Sequence, residues 1–506
     1  MVPQPGARSP RPVTAVSASG SLTAGIDLGT QSVKVMLVDE DGRLAGSGSS
    51  LLTSVRRAGA THEQDPEEWW RAVGEASRKA TANLGDSEIA GVAVCSTSGT
   101  VLLGDQCGRP LTSALMYDDG RAGDEARLVQ DAGEETWTSL GYEMQASFGL
   151  PKLLWLLRSG TYSVPRTSVK VLHQADLVCS RLAGEPVATD WSHALKTGYD
   201  LLSECWPTAV LESLNVSEAA LPSVVRPGST IGEVHETAAA HCGLPAGTPI
   251  LAGMTDGCAA QISAGALAEC RWNSVLGTTL VLKGVTSDLL RDPNGAVYSH
   301  RHPDEGWLPG GASNVGAGAL SRYFVGHDLA DLQRRAAGRG PATTVSYPLA
   351  SEGERFPFVR PEARRFELGE PRDEVDRYLM ILEGVAFAER LCFAHLETLG
   401  VRISGPVALT GGGARSRLWS QLRADVLGRT VYTPQFAEPA VGMAILARAG
   451  TGSVTDAATR MVRVGERFEP DQNRSERLAG NFSRLTQELV KRGYVSTDLA
   501  NHAKLA

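Results

Sequence analysis

The chain has 506 residues, 42% hydrophobic and 21% charged, an ordinary globular composition that excludes a collagen-like or disordered chain. At about 100–200 residues per domain it can build two cores. Its 49 lysines and arginines stand against 57 aspartates and glutamates, a net charge of -8, which argues against a general nucleic-acid binder but not against a nucleotide site, since phosphate needs only local donors.

The first 21 residues are rich in proline, serine, alanine and glycine, with Arg8 and Arg11 but no acid and no apolar h-region. They read as a disordered tail and not as a secretory signal. A cytoplasmic protein is expected, or a plastid one if the tail is a transit segment. No apolar run approaches ~20 residues, so no membrane span is expected. None of the eight cysteines forms a Cys-x-x-Cys pair, which suggests neither zinc nor a redox couple.

Order is expected from Leu22. Strands are predicted over Thr23–Leu28 and Val33–Val38, joined by Gly29-Thr30-Gln31-Ser32, and a third over Arg43–Ser50 after the hairpin signal Asp39-Glu40-Asp41-Gly42. A helix is predicted over Trp69–Ala82 and a buried strand over Ile89–Cys95, with Val101–Gly104 an apolar run behind small polar residues. Leu150–Ala183 reads as helical, broken near Ser159–Arg166, and Ile250–Asp256 as an apolar strand that ends in an acid. Ser274–Lys283 repeats the opening hairpin around a second Leu-Gly-Thr, which suggests two related α/β domains across a cleft. A long helix over 374–399 has Gly400 as its C′ residue. Beyond it come a strand at Pro406–Thr410, the Gly411-Gly412-Gly413 loop and a helix over Arg415–Leu427 that ends at Gly428. The last 45 residues are polar and partly helical.

Three constellations carry chemistry. Asp27-Leu28-Gly29-Thr30-Gln31-Ser32 sets a carboxylate before a turn whose glycine lets backbone N–H groups approach phosphate. The carboxylate suits hydrated Mg²⁺ beside those phosphates; an ordinary hairpin would also account for it. Gly411-Gly412-Gly413-Ala414-Arg415-Ser416 suits close approach to a flat ligand such as adenine, without the glycine spacing of a Walker loop or a dinucleotide fingerprint; a tight turn is the plainer account. Asp256 sits among small residues in Gly253-Met254-Thr255-Asp256-Gly257, where an acid is seldom buried without a partner or a task, a helix N-cap being the alternative. His173, His193, His300 and His302 could line the cleft or cap elements, a structural role being the plainer account.

Together these motifs resemble the FGGY carbohydrate kinases, in the actin-like ATPase superfamily. So do His62-Glu63-Gln64-Asp65-Pro66-Glu67-Glu68-Trp69-Trp70, Pro151-Lys152-Leu153-Leu154-Trp155 and Gly442-Met443-Ala444. The resemblance implies an α/β fold with two actin-like (ribonuclease H-like) ATPase domains around a central cleft. Residues 22–266 would bind sugar, 267–460 would bind nucleotide, and 461–506 would form a helical extension. It implies ATP and Mg²⁺ as cofactors and Asp256 as the base. Asp27 would hold the metal and touch the sugar. Thr30, Gln31, Gly277, Thr278, Thr279, Asn314, Gly412 and Gly413 would lie on the nucleotide side. Ser98 stands where xylulokinases carry the histidine of a Gln-Met-His-Gly stretch, and would bind the sugar. Ser96–Leu103, Ala194–Tyr199, Tyr298–Arg301 and Gly310–Asn314 resemble the D-ribulose kinase branch instead, as does the Tyr347–Pro357 run. The expected partners are a ketose and ATP, with neither nucleic acid nor membrane; a homodimer is left open. A xylulokinase, another polyol or ketose kinase, or a non-catalytic regulator of the same fold are the alternatives.

Overall fold

A computed structural model describes residues 20–85 and 87–504; the expected tail, 1–21, falls almost wholly outside them. The two Leu-Gly-Thr hairpins each open a large sheet. In the first, β1 (Leu22–Leu28), β2 (Ser32–Val38) and β3 (Leu44–Leu51) make an antiparallel meander. β4 (Ile89–Ser96) is added parallel to β1. Beyond it, β5 (Thr230–Glu233) edges the sheet against β6 (Pro249–Leu251), which runs parallel to β4, giving the order β5-β6-β4-β1-β2-β3.

In the second, β7 (Trp272–Leu276), β8 (Leu280–Gly284) and, past the edge strand β9 (Val297–Arg301), β10 (Trp307–Ser313) are antiparallel. β11 (Val407–Thr410) and β12 (Val431–Pro434) are added in parallel, and β13 (Val464–Phe468) closes the order β9-β10-β8-β7-β11-β12-β13. Each sheet is thus a meander with two strands laid parallel to its first strand, the duplication that the hairpins suggested.

β1 is buried along its whole length because both faces are covered. Ala24, Ile26 and Leu28 share a core with Trp69 and Val73 of α1 (Pro66–Thr81). Between the sheets run α2 (Asp256–Ser263) and, beyond α3 (Glu374–Thr398) and α4 (Arg417–Leu427), α5 (Pro439–Ala449). Backbones touch there. A Cβ on Gly25 would lie 1.7 Å from Ala440 O, and one on Gly442 would lie 2.0 Å from Ala259 O, so only glycine fits.

The Gln64–Trp69 motif has a structural task. Gln64 Nε2 donates to Thr30 O at 2.7 Å while Gln64 Oε1 accepts from Trp69 Nε1 at 2.7 Å, which pins the first hairpin turn to α1. Asp65 caps the helix, and Glu68 accepts from Thr53 and Ser54 on the loop after β3.

Three expectations need correction. The stretch read as broken helix over Leu150–Ala183 contains a strand, Lys170–His173, which joins a five-stranded sheet on the first domain. Pairing there overrode a helical-looking pattern, and the helices are Gly149–Ser159 and Gln174–Ala183. The strand expected to end at Asp256 stops at Leu251, and Asp256 begins α2 with Thr255 as N-cap. The triple-glycine loop closes as a 3-10 turn over Gly412–Arg415, so the next helix starts at Arg417. The C-terminal segment holds β13 and helices Gln472–Lys491 and Thr497–His502, whose Leu478, Phe482, Leu485 and Leu489 enter the second domain's core. No helix among the described residues is long and apolar enough to cross a membrane, and all eight cysteines are free thiols.

Candidate active site

Strand ends gather the acids. Leu28 is in register with Ser96, and Ser96 forms a bridge with Thr255, so β1, β4 and the segment after β6 deliver Asp27 and Asp256 to one edge of the first sheet. Asp27 is 8% exposed. Burial, then the charge of Asp256, pushes its carboxyl up to about 7. Cys95 Sγ donates to Asp27 Oδ1 at 3.7 Å. Asp256 is raised too, by burial, against the opposing pull of the Gly257 N–H, which donates to its Oδ1 at 2.7 Å. Two carboxyls held close resist simultaneous ionisation, which is how a carboxylate becomes a usable base near neutral pH.

A buried polar network fixes Asp256. Thr255 N donates to Ser192 Oγ at 2.9 Å, and Ser192 Oγ donates to Asp190 Oδ1 at 2.6 Å. Asp190 also grips His193 Nδ1, whose Nε2 meets Ser96 Oγ at 2.9 Å. Ser96, His193 and Asp190 have the connectivity of a hydrolytic triad, but Ser96 is completely buried and no substrate reaches it. The network is a support for the loop. His173 is part of the same region, between Asp176 (2.7 Å) and Thr197 (2.8 Å). His193 and His173 are thus structural, as expected; His300 lies at the site. Burial and then the Lys283 charge push it well down, and its Nδ1 accepts from Lys283 Nζ at 3.0 Å.

Ser98 follows β4 in a tight turn completed by Gly99 at φ +85. Its Oγ is buried with no hydrogen-bond partner among the described residues, a cost of about 1–3 kcal/mol that a ligand hydroxyl would relieve.

The two Leu-Gly-Thr turns sit on the two domains. Gly29 N donates to Ser32 O at 3.1 Å, which leaves Thr30 and exposed Gln31 at the tip of the first. In the second, Gly277 N donates to Thr279 O at 3.0 Å, and Gly277 O and Thr278 O accept from Ala317 N and Gly318 N. The glycine loop packs on this turn, since a Cβ on Gly413 would lie 2.4 Å from Leu276 Cδ2, whereas one on Gly412 would meet only Arg415 Nη2, at 3.5 Å. Asn314 is more constrained than expected: its N donates to Glu354 Oε1 at 2.7 Å and its Nδ2 to Gly353 O at 2.9 Å, which leaves its amide oxygen and one amide N–H for a ligand.

Several residues at the site escape sequence reading. Lys34 lies directly across from Asp27 on β2, and its charge opposes the rise of that carboxyl; hairpin register could have found it. Glu438, the N-cap of α5, adds a negative charge near Asp27. Tyr117 is 40% exposed and senses the charges of Asp118 and Asp256. Asp118 is held by Arg57 Nη2 at 2.7 Å and by His62. Lys196 bears on Asp256 from the first domain and Lys283 from the second. Only the folded chain brings these together.

Residues 22–263 match the FGGY family of carbohydrate kinases, N-terminal domain, and residues 273–450 match its C-terminal domain. The chain belongs to the FGGY family of carbohydrate kinases. It is similar to a xylulose kinase of Streptomyces rubiginosus, 30% identical over 94% of this chain and 99% of that one. It is also similar to a xylulose kinase of Escherichia coli (strain K12), 29% identical over 84% of this chain and 89% of that one. The solved xylulose kinase from Rhodospirillum rubrum superposes with a TM-score of 0.81 at 26% identity, over 93% of this chain and 99% of that one. A xyloylose kinase from Brucella ovis gives a TM-score of 0.85 at 25% identity, over 93% and 99%. These FGGY sugar kinases share the actin-like ATPase fold. This FGGY chain is therefore a sugar kinase that transfers phosphate from ATP to an alcohol group.

Proposed function

We propose that this FGGY kinase phosphorylates D-ribulose at O5, giving D-ribulose 5-phosphate. The observation that carries the reading is Asp256, a carboxyl raised by burial, supported by a buried network and close enough to Asp27 for its charge to act there, together with the unpartnered Ser98 hydroxyl in the turn after β4. A sugar hydroxyl is a weak nucleophile, and a positioned carboxylate that takes its proton contributes about 10²–10⁴-fold. Asp256 takes that proton as the oxygen bonds to the γ-phosphorus and the bond from the γ-phosphorus to the β,γ-bridging oxygen breaks, releasing ADP. Thr30, Gln31, Gly277, Thr278 and Thr279 hold the β- and γ-phosphates from both sides, and Lys34 adds charge. Gly412, Gly413 and the Asn314 amide oxygen serve the nucleoside end. Ser98 and Asp27 bind sugar hydroxyls.

Magnesium suits this donor set. No group of three or more His, Cys, Asp or Glu side chains gathers as a metal cage among the described residues, and hydrated Mg²⁺ needs only one or two carboxylates plus phosphates. Asp27, whose charged form burial and Asp256 disfavour, is a carboxylate that a cation would relieve. When bound, the ion neutralises charge on the phosphates.

Ser98, in place of a histidine, supports ribulose over xylulose; the names of the relatives favour xylulose. ADP release measured with D-ribulose, D-xylulose, L-ribulose and glycerol decides. The highest kcat/KM is expected for D-ribulose, and Asp256→Ala is expected to lose turnover while still binding ATP. A preference for D-xylulose overturns the sugar, and near-normal turnover by the variant removes Asp256 from the chemistry.

A further inference from the structure

A 2-ketopentose closes its furanose ring through O5, so a substrate phosphorylated at O5 is open-chain and has a free ketone at C2. The ketone oxygen only accepts hydrogen bonds. Asp27, Asp118 and Asp256, as carboxylates, also only accept, and so suit the hydroxyls. Something else in the pocket must donate to the ketone.

Among the described residues, two cationic side chains at the site have their donors free, Lys34 and Lys196. Lys283 donates to His300 at 3.0 Å and to Cys258 Sγ at 3.6 Å. Lys152 is buried and donates to Met116 O at 2.7 Å. Lys34 is exposed and lies across from Asp27 on β2. Lys196 is half-buried and has neither a hydrogen-bond acceptor nor an ion-pair partner among the described residues. Its Nζ lies 5.0 Å from the ring centroid of Phe148 and 5.6 Å from that of Tyr298 on β9, so an aromatic cradle shared by both domains holds it. Its stem crosses the Ser98 turn, where a Cβ on Gly99 would lie 3.2 Å from Lys196 Cδ. The unpartnered Ser98 Oγ is the adjacent residue's. Lys196 is also close enough for its charge to act on Asp256. A free cationic donor therefore packs along the turn that carries the orphan hydroxyl, and its charge reaches the base.

We infer that Lys196 is a specificity-determining residue that donates to the C2 ketone oxygen of the open-chain ketose and so favours ketoses over the corresponding polyols. The inference rests on the ketose-kinase reading above.

The test compares the full-length enzyme with Lys196→Met, which keeps the stem on Phe148 and Tyr298, and Lys196→Gln, which keeps a neutral donor. Measured are the KM for D-ribulose, the inhibition constant of ribitol against D-ribulose, the KM for ATP and the melting temperature. In Lys196→Met the D-ribulose KM should rise about tenfold or more, as for loss of a charged hydrogen bond. The ribitol constant and the ATP KM should stay within about twofold, and Lys196→Gln should fall between. Equal weakening of ribulose and ribitol, or no change in either, overturns the inference, as does a lowered melting temperature accompanied by loss of every substrate. A wild-type enzyme that turns over no ketose defeats the underlying reading, and this inference with it; ketose turnover with unchanged discrimination defeats this inference alone. Preference of the wild type for D-ribonate over D-ribulose would mean that Lys196 pairs with a carboxylate, and also overturns it.

Discussion

Replacing Asp27 by asparagine should abolish catalysis and stabilise the protein. The carboxyl moves from 3.8 to about 7 on folding because burial and Asp256 penalise its charged form. The native state therefore keeps a proton that the unfolded chain releases above pH 4. Stability falls as the pH rises from about 4 to about 7, and the full penalty is present above 7. At about 1.4 kcal/mol per pH unit this is about 4.5 kcal/mol as an upper bound. A buried amide with incomplete hydrogen bonding takes back about 1–3 kcal/mol, which leaves a net gain of about 2 kcal/mol. For a domain of this size that is a melting temperature higher by roughly 4–8 °C. The gain belongs to pH 8. At pH 5 the wild-type carboxyl is already neutral, and the two proteins should melt within a degree or so of each other, or the variant slightly lower. Melts at both pH values, without nucleotide or metal, read the stability, and an ADP-release assay reads the activity. No stabilisation at pH 8, or the same gain at pH 5, would refute the claim that burial and Asp256 load this carboxyl with unfavourable charge.

Further outcomes follow from the same geometry. Ser98→Ala should raise the KM for the sugar about tenfold and leave that for ATP unchanged; equal changes in steady-state kinetics would remove Ser98 from the sugar site. Gly25→Ala should cost several kcal/mol or prevent folding, because its Cβ would meet Ala440 O at 1.7 Å; a variant that expresses solubly and melts like wild type would contradict the close packing of β1 on α5. The kcat/KM for the sugar should fall as the pH drops below about 7, since both Asp27 and Asp256 act ionised and both are raised, with apparent values that belong to the pair; a flat profile to pH 5.5 would exclude them. Chelation with EDTA should stop ADP release and added Mg²⁺ restore it, and turnover that persists in EDTA would count against Asp27 as a metal ligand.

What could be read in advance was what the chain writes locally. Apolar, β-branched runs and turn residues marked β1, β2 and β7, and an apolar stripe marked α3 to within a residue of Glu374–Thr398. The duplicated Leu-Gly-Thr turns located both hairpins because a glycine turn at a strand end needs no distant partner to be recognised. The strand Lys170–His173 was missed because only pairing with Val101–Gly104 makes it a strand. Asp256 was found, yet its environment was not: the Thr255–Ser192–Asp190 support spans more than 60 residues and has no local signature.

The same distinction explains why the reaction type is easier to recover than the substrate. Phosphoryl transfer draws on groups at strand ends and tight turns, each short and self-declaring. On the proposed reading, sugar recognition draws on Ser98, Tyr117, Asp118, Lys196 and Tyr298, which come from four separate segments of both domains. Tyr298 belongs to the second domain yet packs with Phe148 and Lys196 of the first. The sugar pocket is therefore complete only when the domains are together, and the enzyme gains from that arrangement. A base as strong as Asp256 beside ATP would also activate water, and a pocket assembled from both lobes excludes it when the ketose is in place. Loosening the Tyr298 contact, for instance by Tyr298→Ala, should then raise sugar-independent ATP hydrolysis relative to sugar phosphorylation. Unchanged basal hydrolysis with a normal sugar KM would show that closure does not pass through this ring.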